Sequence, residues 1–450
     1  MAKLNFKGLQ ASTDDAFTAA SSSAKGPADL TSIAAIKKAL APIRGTLPSA
    51  YRGTYYDPLV AAINTLTAND FVWLQLHPDK TPLWDALQAV LQNAAQFEAT
   101  ATDAFQELVG DLYDGFLSAE SRMQVKLPDY EVIPPLVKWG NPNDGPYTWT
   151  VDAMRGLNIP IGVVNLPPAH AKQGLMAWAT IGHETGGHDI LGADLGLLDE
   201  IAETTKLALS HAGQPPWMAQ YWADRVDETA SDVLGLINMG PAAGIGLVGY
   251  FRGLMKAWGD PAKLRSEGPA DDAHPGDVVR GYLAAATIRL LSFSDNKTWA
   301  KAIETEADKD VTTIVLAGNS ISTAAAKKAA SVVARAIAET KLQTLEFRSL
   351  RSIQDWKDSD ETITASIRAA LATGKTTVPA VLVDTAYATH VVAAAVTGAA
   401  LGVATPQVLQ KAMIGMLKKM HDDNPSWGPL FVGHRGDALR QPIAVRHHRR

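Results

Sequence analysis

Two histidines, His183 and His188, stand five positions apart at the end of the apolar run Ala177-Trp178-Ala179-Thr180-Ile181-Gly182, with Glu184, Thr185, Gly186 and Gly187 between them. At about 100° per residue, an α-helix separates side chains four apart by only about 40°, but side chains five apart by about 140°. A regular helix therefore sends the two imidazoles to different sides. Bringing them together demands one extra residue in the turn, the π-type widening that recurs at functional sites. Two adjacent glycines, each weakening a helix by roughly 1 kcal/mol relative to alanine, suit such a reshaped turn. The same residues also suit a helix C-terminus with glycine at the cap and His188 in solvent.

The chain has 450 residues and no cysteine, which excludes disulfides, thiolate nucleophiles and Cys-type metal sites. Any metal must then rest on His, Asp or Glu, and neutral imidazole is a good zinc ligand. About forty residues downstream, Trp222 to Gly235 has helical periodicity, with Val226, Ala230, Val233, Leu234 and Ile237 on the inward face. Glu228 and Asp232, four apart, share one face of that helix. Glu228 is placed to ligate an ion while Asp232 reaches back to orient a liganding imidazole. A merely solvated acidic face has the same spacing. The intervening loop with Pro215-Pro216 lets the two helices pack antiparallel.

Together these segments resemble the gluzincin zinc metallopeptidases, in which a His-Glu helix and a later Glu helix supply the ligands. His183-Glu184-Thr185-Gly186-Gly187-His188 is similar to the His-Glu-x-x-Gly-His motif of the dipeptidyl peptidase III family. Asp227 to Asp232 resembles the acidic segment of that family, with Ala230 where it has a basic residue, and the third-ligand segment of thermolysin-like enzymes. The resemblance implies that His183, His188 and Glu228 hold Zn2+, that Glu184 is the general base, and that Asp232 supports a ligand.

Three protein ligands leave a fourth zinc position for water, whose pKa then falls towards about 7. Glu184, beside a ligand, is positioned to take the proton from that water and later deliver it to a leaving amine. One further donor is needed for the oxyanion. His274, in Asp271-Asp272-Ala273-His274-Pro275-Gly276, is the first choice, with Tyr221, Tyr282 and Arg280 as competitors. A histidine before proline is also an ordinary surface-turn residue.

The remainder is mainly helical. Ser32 to Leu40 forms a short helix, and Trp84 to Leu117 carries an apolar stripe at Leu87, Leu91, Ala94, Ala101, Phe105, Leu108 and Leu112. Turn formers from Asn141 to Pro146 end that periodicity. Tyr147 to Val151 and Ile159 to Leu166 follow as strands, the second placed at a sheet edge by Pro160 and so free to pair with an extended substrate. After Pro167-Pro168 a helix is expected from about Ala169 through His183. Lys297 to Ala307, Ser322 to Leu345, Glu361 to Ala372 and Thr405 to His421 again have helical patterns.

These signals predict a mainly α protein with a zincin-like core and a small β-sheet. They divide it into an N-terminal helical region 1–140, a metal-binding catalytic region 141–294 and a C-terminal helical region 295–450. The net charge of −6 lacks the basic excess that nucleic acid requires. The apolar stretches Gly240 to Phe251 and Ala386 to Val403 are rich in glycine and alanine, which favours buried helix over a membrane span. Gly240 to Gly246 reads as a helix-to-helix turn in preference to a flexible lip. No signal peptide is seen, so a cytoplasmic location is expected. The basic ending Arg446 to Arg450 reads as a solvated terminus.

The leading expectation is therefore a zinc peptidase acting on a peptide or protein substrate. A zinc hydrolase of another amide or ester remains open, as does a non-catalytic helical interaction protein. A ferritin-like carboxylate bundle is discounted, because its Glu-x-x-His pairs do not occur.

Overall fold

The computed structural model describes residues 4–424 except 78–80, 118–121, 123–124, 131–132 and 143–144. The basic ending from Arg446 to Arg450, part of the turn cluster (Asn143 and Asp144) and the first three residues lie outside the described residues. The chain is mainly helical, with two small three-stranded sheets.

The first sheet contains β1 (Leu136–Trp139), β2 (Tyr147–Trp149) and β3 (Val163–Leu166) in the order β1-β3-β2. β3 pairs in parallel with β1, Leu136 opposite Val163, and antiparallel with β2, Tyr147 opposite Asn165. It is thus the central strand, and the edge position expected for Ile159 to Leu166 is corrected. Pairing in β3 begins at Val163, beyond Pro160, so the missing proline N–H is never asked for. The edge strands of this sheet are β1 and β2.

Alternation along these strands puts Val137, Trp139, Val164 and Leu166 into the main core and Leu136 and Val163 into a second one. The second core also gathers Ile36, Tyr51, Tyr55, Leu59, Leu87 and Val90 from the N-terminal helices. A division at 140/141 therefore passes between β1 and β2 of one sheet. The main core runs from Leu9 to Met420 and includes residues on both sides of 294/295, so the three sequence-defined regions are not three separate cores. The second sheet, β4 (Glu267–Gly268), β5 (Ile314–Leu316) and β6 (Asn319–Ile321), joins the loop of His274 to the C-terminal helices.

Most expected helices form. Ser32 caps Ile33–Leu40 by accepting from the Ala35 N–H, Asn296–Asp310, Asp358–Ala372 and Pro406–Asp422 match the C-terminal patterns, and Thr323–Glu339 stops short of the expected end at Leu345. Two stripes are interrupted. The one from Trp84 to Leu117 becomes Pro82–Ala94 and Ala99–Leu117, because Gln96 and Glu98 adopt φ of 55° and 46° between them. The one from Ala169 becomes a 3-10 turn, Pro168–Ala171, and a separate helix, Ala177–His183, parted at Gly174 with φ of 79°.

Gly240, at φ of 56° and with Trp356 2.6 Å from where its Cβ would sit, makes a compact turn between helices Val226–Met239 and Pro241–Ala257. Gly240 to Gly246 is therefore no lip. Among the described residues no helix is long and apolar enough to cross a membrane.

Candidate metal centre

The helix Ala177–His183 does not stop at its histidine but continues as a π-helical turn, Glu184–Asp189. The extra residue rotates His188 back towards His183, and the two Nε2 atoms face each other at 3.1 Å with the rings perpendicular. Helix Val226–Met239 packs against this segment in the opposite direction: Gly182 meets Gly235, His183 meets Asp232, Gly187 meets Ser231 and His188 meets Asp227.

The glycines serve this approach. A Cβ on Gly187 would lie 2.1 Å from the Ser231 Cβ, which no side chain survives, whereas a Cβ on Gly186 would meet nothing closer than 3.7 Å. Only one of the pair is demanded by packing.

Glu228 closes the group, with its two carboxylate oxygens 3.4 Å from His183 Nε2 and 3.6 Å from His188 Nε2. One ligand atom from each of His183, His188 and Glu228 lies within 4.8 Å of the others. The outer ring nitrogens are both spoken for. His183 Nδ1 is 2.9 Å from Asp232 Oδ1, and His188 Nδ1 is 3.0 Å from Asp227 Oδ1. Ionised carboxylates only accept, so each Nδ1 carries a hydrogen, and a ring in its neutral form turns its Nε2 lone pair inward. The buried Glu228 Oε2 has no hydrogen-bond partner. Two lone pairs and an orphaned carboxylate oxygen converging on one point fit a cation, and the N, N, O donor set is one that zinc takes.

The local charge agrees. Burial disfavours a charged His183, but Asp232 and Glu228 outweigh it and push its pKa up to about 10. For His188, burial and the neighbouring His183 oppose charging, yet Asp227 and Glu184 raise the pKa. Burial likewise opposes the Glu228 carboxylate, while His183 and Arg280 hold its pKa well below the usual range. Metal and protons thus compete for one electronegative cluster.

Arg280, on helix Asp277–Leu290, is buried and donates to both Asp232 oxygens at 2.8 Å. Its guanidinium is committed to holding Asp232 behind His183, which removes it as a mobile oxyanion donor. Tyr282 is committed elsewhere, its hydroxyl donating to Asp308 at 2.9 Å; the Tyr221 hydroxyl accepts from the Gly276 N–H at 3.2 Å and does not line the cavity beside His183. His274 reaches the centre. Its exposed ring puts Nε2 3.3 Å from Glu228 Oε1, while Nδ1 lies 3.1 Å from Asp272 Oδ1. That carboxylate also accepts from the His274 backbone N–H, fixing the turn.

Glu184 is buried, and Thr148 on β2 donates to its Oε2 at 2.9 Å. A cavity of about 380 Å³ opens beside Glu184, His183, Asp232 and His274. Thr148 escaped sequence reasoning because 36 positions separate it from its partner and no local pattern links them. The contact made by Asp227 was legible in principle, since it is the acid one residue before Glu228. Also missed was the anchor of the π turn: Asp189 accepts from the Tyr113 hydroxyl and, at 2.7 Å, from the Val151 N–H.

No family model, curated protein or solved structure matches this chain.

Proposed function

We propose that this chain is a zinc-dependent hydrolase, and specifically a metallopeptidase. The observation that carries the reading is the pair of imidazoles whose Nδ1 atoms are tied to Asp232 and Asp227, so that both Nε2 lone pairs and Glu228 meet at one point. His183, His188 and Glu228 hold the ion. Zinc held this way lowers the pKa of water and polarises a carbonyl oxygen.

Glu184, kept in place by Thr148, accepts the proton from the attacking water and returns it to the leaving amine. His274, with its Nδ1–H held by Asp272, donates from Nε2 in its doubly protonated form to the oxygen that gains charge. A peptide is favoured as substrate because β2, one of the two edge strands of its sheet, lies next to Glu184, and an edge strand is a natural partner for an extended chain.

Metal analysis tests the reading directly. Protein purified without chelator is expected to hold one zinc per chain, lost in His188→Ala and in Glu228→Ala. Glu184→Gln should retain zinc while turnover of a peptide library falls about 10²- to 10⁴-fold. Protein that neither contains zinc nor takes it up on titration overturns the assignment.

A further inference from the structure

One wall of the cavity beside Glu184 is helix Pro241–Ala257 with the Trp258 that follows it. A packed helix normally buries its large apolar residues and gives its other face to polar ones. Here Ile245, Val248 and Gly249 are buried on the core side, as is Arg252, which pairs with Glu306 and Asp310. The large apolar residues Leu247, Phe251, Leu254 and Met255 are only half-buried, and Trp258 is 63% exposed. Leu247, Phe251, Leu254 and Trp258 recur at spacings of four and three, which is one helical stripe, and all of them line the cavity. At a rise of about 1.5 Å per residue the stripe is about 16 Å long.

The charged groups gather around His183 and Glu228, and the Arg280 guanidinium lies 4.8 Å over the Phe251 ring, so the stripe meets the charged part of the cavity at Phe251. The two arginines lining the cavity are already engaged, Arg280 with Asp232 and Arg265 with Asp272 and Asp277. An acidic side chain entering the cavity therefore meets carboxylates whose cations are taken. An apolar one meets a surface that is otherwise wet, and its burial there is favourable.

We infer that the site selects peptides with large apolar side chains, of leucine or phenylalanine size, on the side of the scissile bond that runs along this helix. An extended peptide returns a side chain to the same face about every 6.6 Å, so the stripe accommodates two such residues at alternate positions. This selectivity rests on the hydrolase reading for its position relative to the cut, but the pocket itself does not depend on the metal.

The test uses peptides that differ only at those positions, carrying Ala, Leu, Phe or Asp. Replacing Ala by Leu or Phe should raise kcat/KM at least about tenfold, and Asp should fall below Ala. Leu254→Ser should shrink the Phe-to-Ala ratio several-fold. The second readout needs neither zinc nor turnover. Binding of the uncleaved Phe peptide to metal-free protein should shift tryptophan emission, and Trp258→Phe should remove that shift.

Cleavage with no preference among the four residues at any position overturns the inference and leaves the hydrolase reading standing. Absence of zinc with the Phe peptide still bound in preference to Asp overturns the hydrolase reading and keeps the apolar pocket. Failure of the Phe peptide to bind better than the Asp peptide overturns the pocket.

Discussion

Among the described residues two stretches adopt π-helical turns, Arg52–Tyr56 and Glu184–Asp189, and they use the same backbone device for different ends. Each contains glycine and each is followed by further helix. At the first, Gly53 is exposed with nothing within 4 Å of where a Cβ would sit, and the turn serves to drive Tyr55 and Tyr56 into the second core. At the second, Gly187 is pressed onto Ser231 of the neighbouring helix, and the turn aims His188 at His183. Their flanking aspartates differ in the same sense. Asp57 pairs with Arg44 in solvent, whereas Asp189 is buried and takes donors from Tyr113 and Val151. A widened turn is therefore not a functional mark in itself. What sets the second turn apart is that another helix closes against it and the outer ring nitrogens find fixed acceptors.

The largest expected effect separates Gly187 from its neighbour. Gly187→Ala forces a Cβ into Ser231 and must part the segments that carry His183, His188 and Glu228, at about 3 kcal/mol of stability and with loss of the zinc proposed to bind there. Gly186→Ala, which has room, should retain zinc and gain helix propensity. Thermal unfolding and metal content of the two variants decide it. Equal zinc binding in both would remove close packing as the reason for glycine at 187.

The next effect concerns the buried anchor. In Asp189→Asn the side chain keeps one acceptor oxygen for two donors, so either the Tyr113 hydroxyl or the Val151 N–H is left unpaired, costing about 1–3 kcal/mol. Burial pushes the Asp189 carboxyl up to about 6 against the pull of Tyr113 and Val151, from an ordinary 3.8. The folded state therefore holds a proton that the unfolded state has released between those values. That contribution is complete below about 3.8 and is lost as pH rises to about 6. The stability advantage of the native chain over Asp189→Asn should be larger at pH 4.5 than at pH 7 in metal-free protein, measured by urea unfolding. A gap that widens towards neutrality would reverse the assignment.

These contrasts also show what the sequence made legible. The spacing of His183 and His188 requires a widened turn, and the structure has one, but the glycine pair has a different cause from the expected one. Gly187 answers to Ser231, 44 positions away, while neither glycine adopts a left-handed φ. Periodicity located the helices of the C-terminal half because their apolar stripes are local. It could not locate the break at Gln96 and Glu98, where non-glycine residues take positive φ to turn one helix onto the next. The central position of β3 depended on where pairing starts relative to Pro160, which is a tertiary fact. Thr148 and Arg280 reach the centre from other elements, and no spacing rule connects them to it.

The smallest expected effect completes the comparison from the other turn. Gly53 has a negative φ and open space around it, so alanine there meets no atom and restricts the unfolded chain. Gly53→Ala should raise stability by about 0.5–1 kcal/mol, the ordinary helical difference between the two residues, and leave zinc content unchanged. A rise in the thermal midpoint at position 53 beside a fall at position 187 would establish that the π turn tolerates a side chain and that the packed helix does not. Destabilisation at both positions would instead mean that the widened turn itself requires glycine, and the role assigned to Ser231 would pass to the backbone of the turn.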